Sequence, residues 1–156
     1  MISEQSEIVV HECRSVAETE ALALAWAKQL GSGSWVGLIG PLGAGKSVFA
    51  RTIGRAFGVT AVMPSPSYTL MVSHQGRCPV HHIDLYRVES REELDFAGVT
   101  PYFSGPGICL VEWADRVREI WPSSGWIVEI EITGAESRRI TITPITEGSE
   151  SPQESI

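Results

Sequence analysis

The sequence predicts an α/β sandwich whose central sheet is mixed and largely parallel and carries antiparallel edge hairpins. Three observations support this fold class. A buried strand, a glycine-rich loop and a helix follow one another within residues 35–57. A continuous apolar run at residues 108–111 is typical of a central parallel strand. Residues 126–132 and 139–143 alternate apolar and polar side chains on either side of a short loop, as the strands of a hairpin do.

Composition restricts the class of protein. The chain has 156 residues, a formal net charge of −7 and a pI of about 5.1. We expect one domain at residues 1–145 and a disordered acidic tail at residues 146–156. The sequence has no strongly basic run, which disfavours direct, tight binding of nucleic acid. Widely spaced cysteines, an acidic N-terminus and the lack of a long apolar run predict a cytoplasmic protein without membrane contact.

The first strand and helix are predicted from short local signals. Residues 8–10 are a strand candidate. Ser15 and Glu18 have the spacing of a capping box, in which the two side chains accept hydrogen bonds from backbone N–H groups at the helix start. The helix that they open is expected to stop at Gly31.

The middle of the chain is expected to form a second hairpin. Two prolines exclude a helix at residues 64–67. Residues 68–74 and 79–85 are predicted to pair as antiparallel strands around a turn at residues 75–77.

Two further helices are predicted after this hairpin. Ser90 and Glu93 form a second capping box, and the short helix that follows is expected to end at Gly98. Another helix is predicted through residues 117–120 and must end before Pro122.

The glycine-rich loop has the sequence Gly-Pro-Leu-Gly-Ala-Gly-Lys-Ser at residues 40–47, which is the Walker A pattern of a P-loop. Its glycines allow successive backbone N–H groups to converge on an anion. Lys46 adds a positive charge for the β- and γ-phosphates, and the Ser47 hydroxyl suits Mg²⁺. The helix predicted at residues 47–57 directs its N-terminus at the phosphates. The pattern predicts a P-loop NTPase fold that binds a nucleoside triphosphate with Mg²⁺.

Two acidic residues are candidates to complete such a site. Asp84 and Glu112 each follow an apolar strand. Ligands of these sheets bind at the carboxyl ends of the strands, where the P-loop also lies. The alternative for each acid is a solvated residue that ends a strand or caps a helix. Ser67 lies on a loop that can reach the γ-phosphate as switch loops do, although it can equally serve the turn between two prolines.

The sequence favours ATP over GTP. It contains no asparagine, so the Asn-Lys-x-Asp motif that reads guanine in Ras-type GTPases is absent. The Asp-x-x-Gly at residues 95–98 lies in a predicted short helix and not directly after a strand.

Five sequence blocks resemble the bacterial TsaE (YjeE) ATPases in order and spacing. After the P-loop they are Ser-Pro-Ser-Tyr-Thr-Leu, His-Ile-Asp-Leu-Tyr-Arg, Glu-Glu-Leu-Asp-Phe-Ala-Gly and Leu-Val-Glu-Trp, at residues 65–70, 82–87, 92–98 and 110–113. The resemblance implies a small ATPase that binds the TsaD–TsaB protein complex. Its ATP hydrolysis drives turnover of that complex in the threonylcarbamoyladenosine modification of tRNA, and tRNA itself is met only indirectly.

The resemblance also implies roles for single residues. Asp84 would be the acid needed for hydrolysis, either as general base or behind Mg²⁺, and Lys46 would act with it. Ser47 and Glu112 would ligate Mg²⁺. The nucleotide would be bound by Val16, Thr19, Gly43, Ala44, Gly45, Lys46, Ser47, Val48, Ser67 and Ser137. The family usually has threonine at the positions of Ser47 and Ser67, but serine keeps the hydroxyl.

Two other functions remain open from the sequence. A P-loop small-molecule kinase shares the loop and the size, but nucleotide kinases need an arginine-rich lid and no segment here concentrates arginines. A non-hydrolysing adaptor would bind ATP without releasing phosphate. Because no arginine finger is evident, we expect slow hydrolysis by the chain alone and stimulation by its partner complex.

Overall fold

The computed structural model describes residues 7–146. Its strands are β1 (Val9–Cys13), β2 (Trp35–Ile39), β3 (Met71–Gln75), β4 (Pro79–Asp84), β5 (Ile108–Glu112), β6 (Gly125–Ile132) and β7 (Arg138–Ile145). Its helices are α1 (Val16–Trp26), α2 (Lys46–Ala56) and α3 (Arg91–Ala97). Short 3₁₀ turns occupy Ala27–Gln29, Thr100–Phe103, Ala114–Arg116 and Arg118–Ile120. The predicted tail at residues 146–156 lies outside the described residues except for Thr146.

All strands of the described residues join one seven-stranded sheet in the order β1-β7-β6-β2-β5-β4-β3. The inner pairs β6–β2, β2–β5 and β5–β4 are parallel, whereas β1–β7, β7–β6 and β4–β3 are antiparallel. The predicted fold class is therefore confirmed. One detail differs, because β1 pairs with the outer side of β7 and leaves the β6–β7 hairpin one strand in from the edge.

Each face of the sheet is covered by its own hydrophobic core. On one face α1 and α2 pack against each other and against the sheet, and Phe49 and Ile53 of α2 meet Leu38 and Leu110 of the central strands. On the other face Leu94 of α3 lies in a second core together with buried side chains of β4 and β5. The central strands are thus buried on both sides, which explains their continuous apolar sequences.

Local signals set the starts of α1 and α3. The Ser15 hydroxyl accepts a hydrogen bond from Glu18 N at 3.2 Å, and the Glu18 carboxylate accepts one from the backbone N–H of Arg14. Ser90 and Glu93 repeat this arrangement at α3. Both predicted capping boxes are confirmed, although each glutamate bonds the residue before the N-cap and not the N-cap itself.

The helix predicted through residues 117–120 is wrong. Two 3₁₀ turns stand there instead, separated by Val117, whose backbone has φ −135° and ψ 82°. Trp121 is extended because a proline follows it, so the segment is too short for a regular helix. The first strand of the predicted hairpin at residues 68–74 is also shorter than expected, because Leu70 N closes a turn onto Pro66 O at 2.9 Å.

No helix within residues 7–146 has the length and apolar character that a membrane span requires.

A pair of phenylalanine variants tests the core. Phe49 is fully buried under α2, whereas Phe96 on α3 is 96% exposed. We expect Phe49→Ala to lower the free energy of unfolding by about 3–5 kcal/mol, because it leaves a cavity in a packed core. Phe96→Ala should change it by less than about 0.5 kcal/mol. Urea denaturation measures both, and equal losses would contradict the described packing.

Candidate functional site

The strand register brings the P-loop and the two candidate acids to one place. Leu38 of β2 pairs with Glu112 at the end of β5, and Glu112 pairs in turn with Asp84 at the end of β4. The P-loop begins directly after Ile39, the last residue of β2. A cavity of about 300 Å³ opens there, and its walls include the P-loop, both acids, Ser67 and Trp113.

A larger cavity of about 530 Å³ lies between the start of β2 and the end of β7. Trp35, Trp126 and several glycine and serine residues line it, and its walls contain no ionisable side chain. Because ionisable groups carry acid–base and metal chemistry, the smaller cavity at the P-loop is the candidate site.

The P-loop conformation requires its glycines. A Cβ atom at Gly40 would lie 2.5 Å from the backbone oxygen of Ile130. Gly43 and Gly45 have φ angles of 80° and 109°, in the region that favours glycine. Gly45 is the N-cap of α2 and offers no side-chain cap, so the first N–H groups of α2 are free of such a partner. This helix N-terminus can therefore receive an anion.

Lys46 is folded back onto the P-loop. Its Nζ donates hydrogen bonds to Gly40 O at 2.6 Å and Pro41 O at 2.9 Å and lies 4.0 Å from the ring centre of Trp113. Burial lowers the pKa of Lys46 from its ordinary value, while the carboxylates of Glu112, Asp115 and Asp84 oppose that shift. A cation whose partners are neutral carbonyls can exchange them for phosphate oxygens.

Glu112 links three elements through a buried carboxylate. Ser47 Oγ at the start of α2 donates to Glu112 Oε1 at 2.9 Å and lies 3.1 Å from Oε2. His82 Nε2 on β4 lies 2.5 Å from Oε2, and its side chain is completely buried. With 3% of its surface exposed, Glu112 is not the solvated strand end that the sequence left open.

Asp84 is held by the loop that precedes β3. Its Oδ2 accepts a hydrogen bond from Ser67 Oγ at 3.2 Å, and its Oδ1 accepts one from Tyr86 N at 2.8 Å. Ser65 Oγ lies 2.8 Å from Ser67 Oγ. Asp84 is 5% exposed, so a solvated role is excluded for this acid as well.

The donor set at the Ser47–Glu112 pair suits Mg²⁺. Among residues 7–146 no group of three or more His, Cys, Asp or Glu side chains is placed to hold a metal ion by itself. Mg²⁺ at nucleotide sites takes one or two protein oxygens together with substrate phosphates and water. A hydroxyl and a carboxylate within hydrogen-bonding distance of each other match that requirement.

A third cavity, smaller than the two already described, lies on the other side of the P-loop. It has a volume of about 110 Å³, and Val16 and Thr19 of α1 face Gly43, Ala44, Gly45 and Val48 across it. Glu136 and Arg138 complete its wall. Ser137 is not part of the wall, and its backbone oxygen accepts hydrogen bonds from Thr133 N and Arg138 Nη1. The structure thus brings Val16 and Thr19 to the P-loop, whereas Ser137 stays outside the cavity wall that Glu136 and Arg138 help to form.

Sequence reasoning missed two residues of this region, His82 and Arg138. The signal for His82 was available, because a residue two positions before Asp84 on a strand points to the same face. Arg138 had no local signal, since its contact with the P-loop joins residues 94 and 95 positions apart.

Comparisons of the sequence with known proteins point to one family. The sequence profile of the family described as "Threonylcarbamoyl adenosine biosynthesis protein TsaE" matches residues 13–140. A curated relative from Bacillus subtilis (strain 168), named tRNA threonylcarbamoyladenosine biosynthesis protein TsaE, is 36% identical over 82% of this chain and 80% of its own length. The protein of the same name from Treponema pallidum is 30% identical over 83% of this chain and 96% of its own.

A solved structure gives the same result for the fold. The crystal structure of Bacillus subtilis YdiB superposes with a TM-score of 0.75 at 30% sequence identity. The superposition covers 92% of this chain and 89% of the other.

The contact between His82 and Glu112 can be tested by a double variant. We expect His82→Ala to lower the free energy of unfolding at pH 7 by about 3 kcal/mol, because it removes one partner of a buried carboxylate. Adding Glu112→Gln should restore part of that loss, since a neutral amide costs less to bury than a carboxylate. Urea denaturation measures the effect, with the exposed histidine variant His11→Ala as control. The cycle also needs the single variant Glu112→Gln. If the losses of the two single variants add up to the loss of the double variant, the contact is contradicted.

Proposed function

The chain belongs to the TsaE family of threonylcarbamoyl adenosine biosynthesis proteins, and we propose that it binds and hydrolyses MgATP to drive turnover of the TsaD–TsaB complex in the threonylcarbamoyladenosine modification of tRNA. The observation that carries this proposal is the contact of Ser47 at the P-loop with the buried Glu112, beside Asp84 in register. This arrangement supplies an anion site, a divalent-metal site and a second acid in one cavity.

The P-loop side of the cavity binds the phosphates. Lys46 moves its ammonium group from the carbonyls of Gly40 and Pro41 to the β- and γ-phosphates. Ser47 Oγ and the Glu112 carboxylate, which lie within hydrogen-bonding distance of each other, would hold Mg²⁺. Mg²⁺ supplies neutralisation of the charge that develops on the phosphate oxygens.

Asp84 serves the attacking water. Two hydrogen bonds, from Ser67 Oγ and Tyr86 N, fix its carboxylate next to Glu112. From there Asp84 would either accept a proton from the attacking water as general base or stand behind the metal site and orient that water. The switch-loop role of Ser67 follows from the same hydrogen bond, because any movement of its loop changes a partner of Asp84.

The cavity between α1 and the P-loop receives the base. Val16, Thr19 and Val48 provide the walls against which an adenine can pack. ATP is the nucleotide of this proposal because the sequence has no guanine-reading motif.

Slow hydrolysis by the chain alone follows from the charges around the phosphates. No arginine of the described residues lines the cavity at the P-loop, so Lys46 is its only cationic side chain. Arg87, which is close in sequence to Asp84, lies 4.4 Å from the ring centre of Tyr68. An additional positive charge from a partner stabilises the transition state in many P-loop enzymes, and the TsaD–TsaB complex is the partner proposed here.

Removal of either acid tests the proposed mechanism. We expect Asp84→Ala and Glu112→Ala to lower the rate of phosphate release by about 100-fold or more, because each removes a group that acts on water or Mg²⁺. The measurement follows ATP hydrolysis and tRNA modification with TsaD, TsaB and the synthase that makes threonylcarbamoyl-adenylate. The matched control is Glu129→Ala, which removes an exposed carboxylate on β6. Unchanged modification in both site variants would remove the assignment.

The partner dependence and the competing functions need a separate measurement. We expect ATP turnover by the wild-type chain to rise clearly when TsaD and TsaB are added. A full rate without them would contradict that expectation.

Incubation with labelled ATP and a panel of nucleosides, sugars and cofactor precursors should give no phosphorylated product, and such a product would favour a kinase. ATP binding without phosphate release in the complete mixture would favour an adaptor.

A further inference from the structure

We propose that Arg138 is a positioning residue for the P-loop, and that its guanidinium sets the affinity for nucleotide by fixing the orientation of two consecutive loop peptides. This inference rests on the proposed ATP binding and deepens it. Arg138 is the first residue of β7, which lies two strands from β2 in the sheet, and it reaches the P-loop that follows β2.

One guanidinium holds carbonyl groups of two different loops. Arg138 Nε donates to Ala44 O at 2.9 Å, and Nη2 donates to Gly43 O at 3.2 Å. Nη1 donates to Gly134 O at 3.0 Å and to Ser137 O at 2.8 Å, both in the β6–β7 loop. Arg138 therefore joins the P-loop to the β6–β7 loop. Only a planar group with five N–H donors can make this set of bonds.

The bonds to the P-loop determine where its N–H groups point. A trans peptide is planar, so its C=O and N–H groups point in opposite directions. The peptide with the carbonyl of Ala44 carries the N–H of Gly45, which is thereby directed away from Arg138. The peptide with the carbonyl of Gly43 carries the N–H of Ala44, which donates to Pro41 O at 3.0 Å. This second peptide is anchored at both ends.

Packing alone does not restrain these peptides. A Cβ atom placed at Gly43 or Gly45 would meet nothing within 4 Å, so the side of each glycine where a side chain would stand is open. Glycine also has more backbone freedom to lose than other residues. The hydrogen bonds from Arg138 supply the restraint that side-chain packing supplies elsewhere. A loop already held in its binding conformation spends less binding free energy on ordering.

Arg138 also borders the small cavity between α1 and the P-loop, opposite Val16 and Thr19. The same side chain is thus placed beside the proposed base cavity and behind the phosphate loop. Loss of the guanidinium should affect nucleotide binding more than the chemical step, because Arg138 does not line the cavity that contains Glu112 and Asp84.

The experiment compares wild type with Arg138→Gln, Arg138→Lys and Arg139→Gln. Arg139 is the neighbouring arginine, points its guanidinium to Glu12 on β1, and provides the matched control. Dissociation constants are measured with a fluorescent N-methylanthraniloyl-ATP in the presence of Mg²⁺. Hydrogen exchange of the Ala44 amide, which donates to Pro41 O, is measured without nucleotide, and kcat is measured with the partner complex at saturating ATP.

We expect the dissociation constant of Arg138→Gln to rise by about tenfold or more, because charge-assisted hydrogen bonds to two loop carbonyls are lost. The Ala44 amide should exchange faster, because its peptide loses the bond that holds the Gly43 carbonyl, and kcat should stay within about twofold of wild type. Arg138→Lys should lie between the two, since a lysine keeps the charge but cannot hold the same carbonyls. Arg139→Gln should match wild type.

Three results would overturn the inference. The first is wild-type affinity in Arg138→Gln. The second is full restoration in Arg138→Lys, which would mean that charge alone matters. The third is unchanged exchange at the Ala44 amide. If Arg138→Gln does not fold, the elevated dissociation constant expected for Arg138→Lys decides the matter. If the wild-type chain binds no nucleotide, the proposed function fails, and the exchange rate at the Ala44 amide still tests whether Arg138 positions the loop.

Discussion

The parallel register of β2, β5 and β4 is the constraint on which the site depends. It sets Leu38, Glu112 and Asp84 at one level, so the P-loop leaves the sheet beside both acids. Helix α2, which follows the P-loop, packs its apolar face onto the sheet through the fully buried Phe49. The N-terminus of α2 thereby lies where Ser47 contacts Glu112. A shift of one residue in either strand pairing would turn one acid to the opposite face and separate it from the loop.

Most polar groups of the site already bond one another, and within residues 7–146 the buried His82 Nδ1 is left without a hydrogen-bond partner. Lys46 bonds two carbonyls of its own loop, and Glu112 bonds Ser47 and His82. In the proposed function, nucleotide binding would exchange internal hydrogen bonds for bonds to phosphate and metal, and the net free energy would be the difference between the two sets. His82 is completely buried against Glu112, so it can keep the carboxylate in place whether or not Ser47 bonds to it. The Arg138 contacts act on the same loop from behind.

Features with a local cause could be predicted from the sequence, and features that depend on distant pairing could not. The strand at residues 35–39 and both capping boxes follow from patterns within a few residues. Asp84 and Glu112 could be chosen because strand ends share an edge of the sheet. The pairing of β1 outside β7 and the reach of Arg138 to the P-loop join segments about 100 residues or more apart, and no short pattern encodes them. The helix expected through residues 117–120 failed because apolar spacing over so few residues does not outweigh the proline that follows.

The dependence of ATP affinity on Mg²⁺ tests the central claim, that Glu112 and the P-loop form one metal–nucleotide site. Calorimetric titrations with ATP are carried out with and without Mg²⁺ on wild type, Glu112→Ala and the control Glu129→Ala. The account predicts that Mg²⁺ strengthens ATP binding to wild type and to Glu129→Ala. Glu112→Ala should bind metal-free ATP at least as well as wild type, because a negative charge is removed, and should gain little from Mg²⁺. An equal gain from Mg²⁺ in Glu112→Ala and wild type would contradict the account.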